Sequence, residues 1–586
     1  MKKRVLQTIA AALLLALALS GCRTVPIPLA YDSMIPEGGI QDDGRYNKEL
    51  FYRNDALWAQ PDPFILYITD EGSTEYGYYY LYATNWSANG YKTYRSKDLV
   101  YWEDVAPEVG NYCFVEQETD EFYPPYWAPE VIYDGETDQY YMYYSAATTD
   151  GYDGGFTEEM RIGIAVADEP YGPFVGYENN RLIDDEAANA AVPEKDRGEW
   201  ECIDASPFVG ADGERYMLFT RETDTDDGNV ITEAGINSGV WGMRMVDWQT
   251  PDYSTLTRLT SPGYTTTDKT EELDYESTTP RNEGGHMYVR KHEDGTATYY
   301  LTSSIDGLNE YTVVQAVGDS PLGPFRKLTE EEGGIFLAND HFTWDHIKGP
   351  GHHCFVQAGD ELLIFYHQQE NRMMGDSWTR TLAVDRVSFA VNGKGQEVMV
   401  VNGPTWSLQP QVEIASEYKN IADEAKVKAN NGSNVEELTD GVLSIYKKVD
   451  FVQEFETDKK TTITLTFDDY REVTGLMVYN SKWFEKAFMH IDRVEFDFKN
   501  DEVPGGGTAY IDNLQFDWQS YVTSARNDMR PGGSAVAVFA PMQVKEIRIT
   551  FNLPVDRPEE LQILDDEGYV VQQSTVAISE IVVLGK

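Results

Sequence analysis

The sequence predicts an all-β protein, a five-bladed β-propeller followed by a β-sandwich. Three observations carry this. Tyr, Trp, Gly and Thr are abundant (39 Tyr, 12 Trp and 48 Gly among 586 residues) and fall in short runs separated by turn residues, the composition of strands. No sustained helical periodicity occurs beyond the N-terminus. A unit made of a Gly- or Asp-bearing turn and an aromatic strand recurs five times: 76–84 (YGYYYLYAT), 137–145 (TDQYYMYYS), 212–220 (DGERYMLFT), 294–303 (DGTATYYLTS) and 359–367 (GDELLIFYH).

Each unit offers a further strand signal downstream, at Tyr91 to Ser96, Arg161 to Ala167, Val240 to Val246, Tyr311 to Val317 and Arg380 to Val387. Spacings of roughly 60 to 80 residues hold a four-stranded sheet, and such sheets stacked radially make a propeller; a β-helix would repeat over much shorter lengths. In a propeller the first strand of each blade lines the axis, so residues near its start converge from distant positions. Ahead of each aromatic strand stands one such residue: Asp62 in PDPF, Trp127 in WAPE, Asp204 in IDASPF, Glu283 in NEGGH and His352 in GPGHH.

The rest of the chain divides around this repeat. Residues 1–22 have a basic start, an apolar run and small residues at the end, as a secretory signal does. Leu19-Ser20-Gly21-Cys22 resembles the bacterial lipobox, which implies lipidation of Cys22 and an exported, membrane-anchored lipoprotein facing the periplasm or the cell surface. Residues 23–50 read as a tether, 51–411 as the propeller and 412–586 as the sandwich. Apart from Cys22 there are only Cys113, Cys202 and Cys354, an odd number that excludes a disulfide framework. The formal net charge of −52 repels nucleic acid and other polyanions, so a neutral partner suits the protein best.

Three carboxylates drawn to one axis repel one another, and at least one should hold a proton near neutral pH. A proton donor beside ionised carboxylates is what glycoside hydrolysis requires. Singly, Asp62 is also an Asx-turn before Pro63, Asp204 a cap before Ser206 and Pro207, and Glu283 a loop charge. Their recurrence in the repeat favours the chemical reading.

At these residues the sequence resembles glycoside hydrolase family 43, through QPDPFI around Asp62, SKDLVYWE at 96–103, YWAPEVIY at 126–133, IDASPF at 203–208, EGGHMYV at 283–289 and GPGHH at 349–353. The resemblance implies an inverting glycosidase with Asp62 as general base, Glu283 as general acid and Asp204 as the third carboxylate that tunes and orients the acid. It implies an arabinose- or xylose-containing oligo- or polysaccharide as substrate, Arg380 on the sugar hydroxyls and Trp127 as an apolar platform. It requires no cofactor, and it makes His352 the axial histidine that in some members helps hold a hydrated calcium ion or another ion on the propeller axis. The family usually carries Pro where Gly285 stands, a departure that bears on the turn aiming Glu283. His286 is expected to be structural, and Glu130 to pair with a cation. A non-catalytic sugar-binding propeller would be expected to have lost one of the three carboxylates. Another five-bladed glycosidase type, such as a fructan hydrolase, fits WAPE and SKDLVYWE less well.

After residue 411, Asn420-Ile421-Ala422, Leu438-Thr439-Asp440-Gly441, the alternation in 461–467 and ISEIVVLG at 578–585 resemble a discoidin-like, galactose-binding-like domain. Trp483 and Tyr521 are its candidate sugar platforms.

Overall fold

Five antiparallel sheets succeed one another in the computed structural model. It describes residues 24–26, 49–54, 58–84, 90–105, 112–114, 122–148, 160–222, 239–260, 282–305, 311–338, 347–370, 380–405, 408–446, 449–499, 504–515, 533–557, 559 and 562–586. Blade 1 comprises Phe64–Tyr67, Tyr79–Tyr82, Thr93–Ser96 and Glu103–Asp104; blade 2 comprises Phe122–Asp134, Gln139–Thr148, Met160–Ala167 and Val175–Arg181. Blade 3 is Cys202–Val209, Arg215–Arg221, Gly239–Asp247 and Thr250–Thr260, and blade 5 is Ile347–Ala358, Glu361–Glu370, Arg380–Val391 and Glu397–Val401. Blade 4 runs through Asn282–Lys291, Ala297–Ile305, Thr312–Gly318 and Arg326–Lys327, with Ile335–Leu337 added to its third strand. The aromatic runs are the second strands and the downstream signals the third.

The second strands are apolar on both faces because each blade is covered on both sides. Tyr79 and Leu81 pack with Val356, Leu363 and Phe365 of blade 5, whereas Tyr80 and Tyr82, on the opposite face, pack with Tyr140, Met142 and Tyr144 of blade 2. The same division continues around the ring. Tyr141 and Tyr143 meet Met217 and Phe219, Tyr216 and Leu218 meet Tyr299 and Leu301, and Tyr300 meets Ile364 and Tyr366. Removing both faces from water explains runs such as YYLY and QYYMYYS, in which polar residues do not alternate with apolar ones.

The N-terminal segment closes the ring against blade 5. Asn54 lies beside the third strand of blade 5 as another strand would: its Nδ2 donates to Val384 O (2.9 Å) and its Oδ1 accepts from Val384 N (2.9 Å). Leu382 N donates to Trp58 O at 3.1 Å, and Phe51–Tyr52 pairs with Gln409–Pro410.

The strands of the C-terminal sandwich, together with Thr24–Pro26, form a single hydrogen-bonded network of nine described strands, because two long strands pass from one layer to the other. The first half of Thr461–Asn480 pairs with the second half of Ser534–Phe551 and with Lys426–Ala429; after register shifts between Thr466 and Arg471 and between Val473 and Gly475, its second half pairs with 534–538 and with Val576–Gly585. Such bulges bend a strand enough to serve both layers. Ile463, Leu465, Phe496, Ile547, Val478 and Ile581 fill the space between. Thr24–Pro26 adds a parallel edge to Gly507–Gln515, so part of the expected tether is docked, on an edge that offers unpaired backbone groups. All three described cysteines are buried and free, and no described helix is long and apolar enough to cross a membrane. Cys22 and Tyr521 lie outside the described residues.

Candidate active site

One residue near the axial start of each inner strand takes a left-handed conformation: Asp62 (φ 52°), Ala128 (φ 42°), Asp204 (φ 57°), Gly284 (φ 59°) and His352 (φ 44°). In blades 2 to 5 it falls within an irregularity of the ladder to the second strand. Four non-glycine residues in this region are costly, and they persist because the surroundings hold them. This geometry refines the equivalence read from the sequence. Asp62, Asp204 and His352 occupy the left-handed position itself, whereas Trp127 and Glu283 each stand one residue before it.

The amides of these residues are caught by polar groups of the preceding blade. Asp62 N donates to His367 Nδ1 (3.2 Å), Ala128 N to Thr84 Oγ1 (2.8 Å), Asp204 N to Ser145 Oγ (2.9 Å) and His352 N to Ser304 Oγ (2.8 Å). By this pattern Thr220 should hold the amide of Gly284. Instead Gly284 N donates to Asp204 Oδ2 at 3.1 Å, and the buried Thr220 Oγ1 has no partner among the described residues. The carboxylate of Asp204 thus fixes the backbone next to Glu283. The sequence signal for these clamps was the polar residue ending most of the aromatic runs, which sequence reasoning did not read.

Asp62, Asp204 and Glu283 are all buried, at 6 %, 7 % and 6 % exposure, yet their surroundings differ in sign. Asp62 Oδ1 accepts from Arg380 Nη1 at 2.6 Å and lies 3.3 Å from Nδ1 of both His352 and His367, while Oδ2 accepts from Thr84 Oγ1 at 2.5 Å. Burial alone would raise its pKa, but Arg380, with the two histidines, outweighs it and holds the carboxyl well below the usual range. Asp204 is pushed well above that range, by burial first and then by the charges of Glu283 and Asp62. The Asp204–Glu283 pair therefore retains a proton that Asp62 has lost.

Several side chains occupy places that the sequence did not foretell. Tyr311 is fully enclosed and its hydroxyl donates to Glu283 Oε1. Arg380, expected on the sugar hydroxyls, donates through Nη1 to the carboxylate of Asp62. Glu130, expected to pair with a cation, has no salt bridge among the described residues; it is buried beside Ser206, burial pushes its carboxyl well up, and Oε2 is likewise unpartnered among them. Its neutral acid form needs no cation. His286 packs against His353 and Phe355, and burial lowers its pKa to about 4, keeping it neutral. Trp127 is half-buried, and its carbonyl accepts from Tyr91 OH at 2.9 Å.

The histidine implied as an ion ligand turns its Nδ1 to the proposed base, 3.3 Å from Asp62 Oδ1. The ring of His352 lies over Gly284, where a Cβ would stand 3.3 Å from Cγ and Nδ1, and Nδ1 faces Asp62. No group of three or more His, Cys, Asp or Glu side chains among the described residues is arranged to hold a metal.

The arrangement places a carboxylate poised to accept a proton and a carboxyl pair able to give one around one axis. A family model described as glycosyl hydrolases family 43 matches residues 58–394, a span that contains all three. None of the curated proteins matches the chain. Among solved structures the chain is similar to a thermostable family-43 glycoside hydrolase (26% identity over 62% of this chain and 99% of that one, TM-score 0.45). It is also similar to an endo-1,4-beta-xylanase from Bacteroides thetaiotaomicron (21% identity, 60% and 97% covered, TM-score 0.41) and to a mutant of the GH43 protein BlXynB from Bacillus licheniformis (15% identity, 92% and 96% covered, TM-score 0.42). Since the family model spans more than half of the sequence and takes in the carboxylate-lined axis, this chain belongs to family 43 of the glycosyl hydrolases, a family of inverting O-glycosidases.

Proposed function

We propose that the protein hydrolyses arabinofuranosyl or xylosyl linkages of neutral plant polysaccharides or their oligosaccharides, with Asp62 as general base and Glu283 as general acid. The observation that carries this is the opposed electrostatics of the carboxylates: Asp62 is held ionised by Arg380, while the Asp204–Glu283 pair keeps a proton. In the proposed reaction Asp62 takes a proton from water as its oxygen attacks the anomeric carbon. The bond from that carbon to the glycosidic oxygen breaks, and the departing oxygen takes the proton of Glu283. One water is consumed and the anomeric configuration inverts. Asp204 favours the protonated form of Glu283 and holds the Gly284 amide. Trp127 offers its indole to a sugar face. The strongly negative surface suits a neutral glycan and not a polyanion.

The test is a panel of aryl arabinofuranosides, aryl xylosides, arabinan and xylan. Glu283→Gln should lose at least ~10³-fold of the activity on substrates with poor leaving groups, with an unchanged melting temperature; wild-type activity in that variant would sink the assignment. A proton NMR time course should show the inverted anomer first, and a retained one would contradict the pair. The protein is further proposed to be exported and anchored by lipidation of Cys22, which a Cys22→Ala variant appearing in the soluble fraction would support.

A further inference from the structure

We infer that Tyr311 is the positioning residue of the proton donor, holding Oε1 of Glu283 so that the transferable proton is confined to Oε2. The inference rests on the proposed role of Glu283 as acid and deepens it. The Tyr311 hydroxyl donates to Glu283 Oε1, and the phenol is enclosed on every side (2 % exposed). Its ring lies 5.6 Å from that of His367. Its Cβ and Cδ2 press on the inner strand of blade 5 at Gly351, where an added Cβ would meet them at 2.8 and 3.0 Å. With the ring held between blades, the hydroxyl has one place to point.

The repeat supplies an independent argument. Ser304 pairs with Val313 in blade 4, and His367 pairs with Leu382 in blade 5. Ser304 and His367 are the equivalent clamp residues of their blades. Tyr311 and Arg380 each stand two residues before the partner of the clamp, so they occupy the same position in consecutive blades. From that position Arg380 puts a donor on the carboxylate of Asp62, and Tyr311 puts one on the carboxylate of Glu283. One place in the fold thus serves the base with a charged donor and the acid with a neutral one. The difference fits the two tasks: a cation beside Glu283 would drive off the proton the acid must keep, whereas a phenol fixes the carboxyl without adding charge. Once Oε2 has given up its proton, the same hydroxyl bonds to an ionised acceptor, and such bonds are the stronger ones.

The experiment uses the full chain and the aryl pentoside it cleaves, carrying either phenol or 2,4-dinitrophenol as leaving group. Dinitrophenolate departs without a proton, so a defect confined to the acid shows only with phenol. Tyr311→Phe should lower kcat/KM for the phenyl glycoside by ~10–100-fold and for the dinitrophenyl glycoside by less than ~3-fold. Losing a donor to the carboxylate raises the pKa of Glu283, so the basic limb of the pH profile should move to higher pH. Replacing Tyr311 by 3,5-difluorotyrosine keeps the ring and strengthens the donor, and should move that limb to lower pH; this decides the matter if the Phe variant does not fold. Equal losses on both substrates, or a limb unmoved by either replacement, would overturn the inference. Glu283→Gln run in parallel separates the two ideas. If it loses the phenyl glycoside while Tyr311→Phe behaves as wild type, only the positioning role falls; if it cleaves the phenyl glycoside as wild type does, the acid assignment itself fails.

Discussion

Arg380 Nη1 lies 2.6 Å from Oδ1 of Asp62 across 318 residues of sequence, and both side chains are buried at 8 % and 6 % exposure. The pair joins the third strand of blade 5 to the start of blade 1, so one contact both adds to the closure of the ring and favours the ionisation of the base. Removing one partner of a buried ion pair typically costs about 3–5 kcal/mol, because the other charge is left uncompensated. The sign of the pH effect follows from the same contact. Asp62 must be ionised to act, and without Arg380 the burial that now opposes ionisation prevails. Arg380→Ala is expected to move the acidic limb of kcat/KM to higher pH and to lower the melting temperature, and a titration of rate across the carboxylate range, roughly pH 3 to 7, checks it. An unmoved limb would show that Arg380 does not set the ionisation of the base.

Asp204 combines two tasks that substitution can separate. Asp204→Asn keeps an oxygen for the Gly284 amide but removes the carboxyl that shares a proton with Glu283, whereas Asp204→Ala removes both. With its like-charged neighbour gone, Glu283 should give up its proton more readily, and the basic limb of the pH profile should shift to lower pH in both variants. Loss of the amide contact leaves a buried donor unsatisfied, which costs about 1–3 kcal/mol, so denaturant unfolding should find the Ala variant less stable than the Asn variant. Equal stability would mean that Thr220 takes over the amide when the carboxylate is absent.

Gly285 stands where the family resemblance leads one to expect proline, and the structure gives a reason for the smaller residue. A Cβ at Gly285 would come within 2.7 Å of Val240 Cγ1 on blade 3. Gly285→Ala should therefore destabilise the protein by about 1–3 kcal/mol through overpacking. Combined with Val240→Ala, it should cost less than the sum of the two single changes. Strictly additive free energies in that double-mutant cycle would refute the contact.

Gly284 is constrained twice, by its φ of 59° and by the His352 ring 3.3 Å from where a Cβ would be. A side chain in the left-handed region costs about 1–2 kcal/mol, and relief by shifting His352 would disturb its contact with Asp62. Gly284→Ala is expected to lower both stability and kcat, measured by thermal melting and by initial rates at saturating substrate.

Latching of the ring is testable away from the chemistry. Asn54 is buried and bonds both backbone groups of Val384. Asn54→Ala should cost about 1–3 kcal/mol by leaving the Val384 amide unpaired, since Val384 O still accepts from Tyr52 OH (3.3 Å) and Gln409 Nε2 (3.4 Å), while Asn54→Asp should retain only the contact to Val384 N. Hydrogen exchange of the Val384 amide should rise in the Ala variant and remain slow in the Asp variant.

What the sequence determined by itself was local and periodic. Runs such as YYLY and QYYMYYS mark second strands because side chains on both faces must be buried, and five spaced copies specify the number of blades. The motifs around Asp62, Asp204 and Glu283 named the carboxylates, since a turn and its polar residue are encoded within a few positions. The tertiary structure decided which groups those carboxylates meet. Whether Arg380 meets the carboxylate of Asp62 and whether Asp204 or Thr220 holds the Gly284 amide depend on how one blade abuts another, and whether Tyr311 is a strand residue or the partner of Glu283 depends on how the strands of blade 4 and the blade 5 face packed on them orient its ring. Those contacts join residues far apart in the chain, and no local propensity or period records them. The equivalence of Arg380 and Tyr311 was present in the repeat, but its meaning appears only once the strands are in register and the ring is closed.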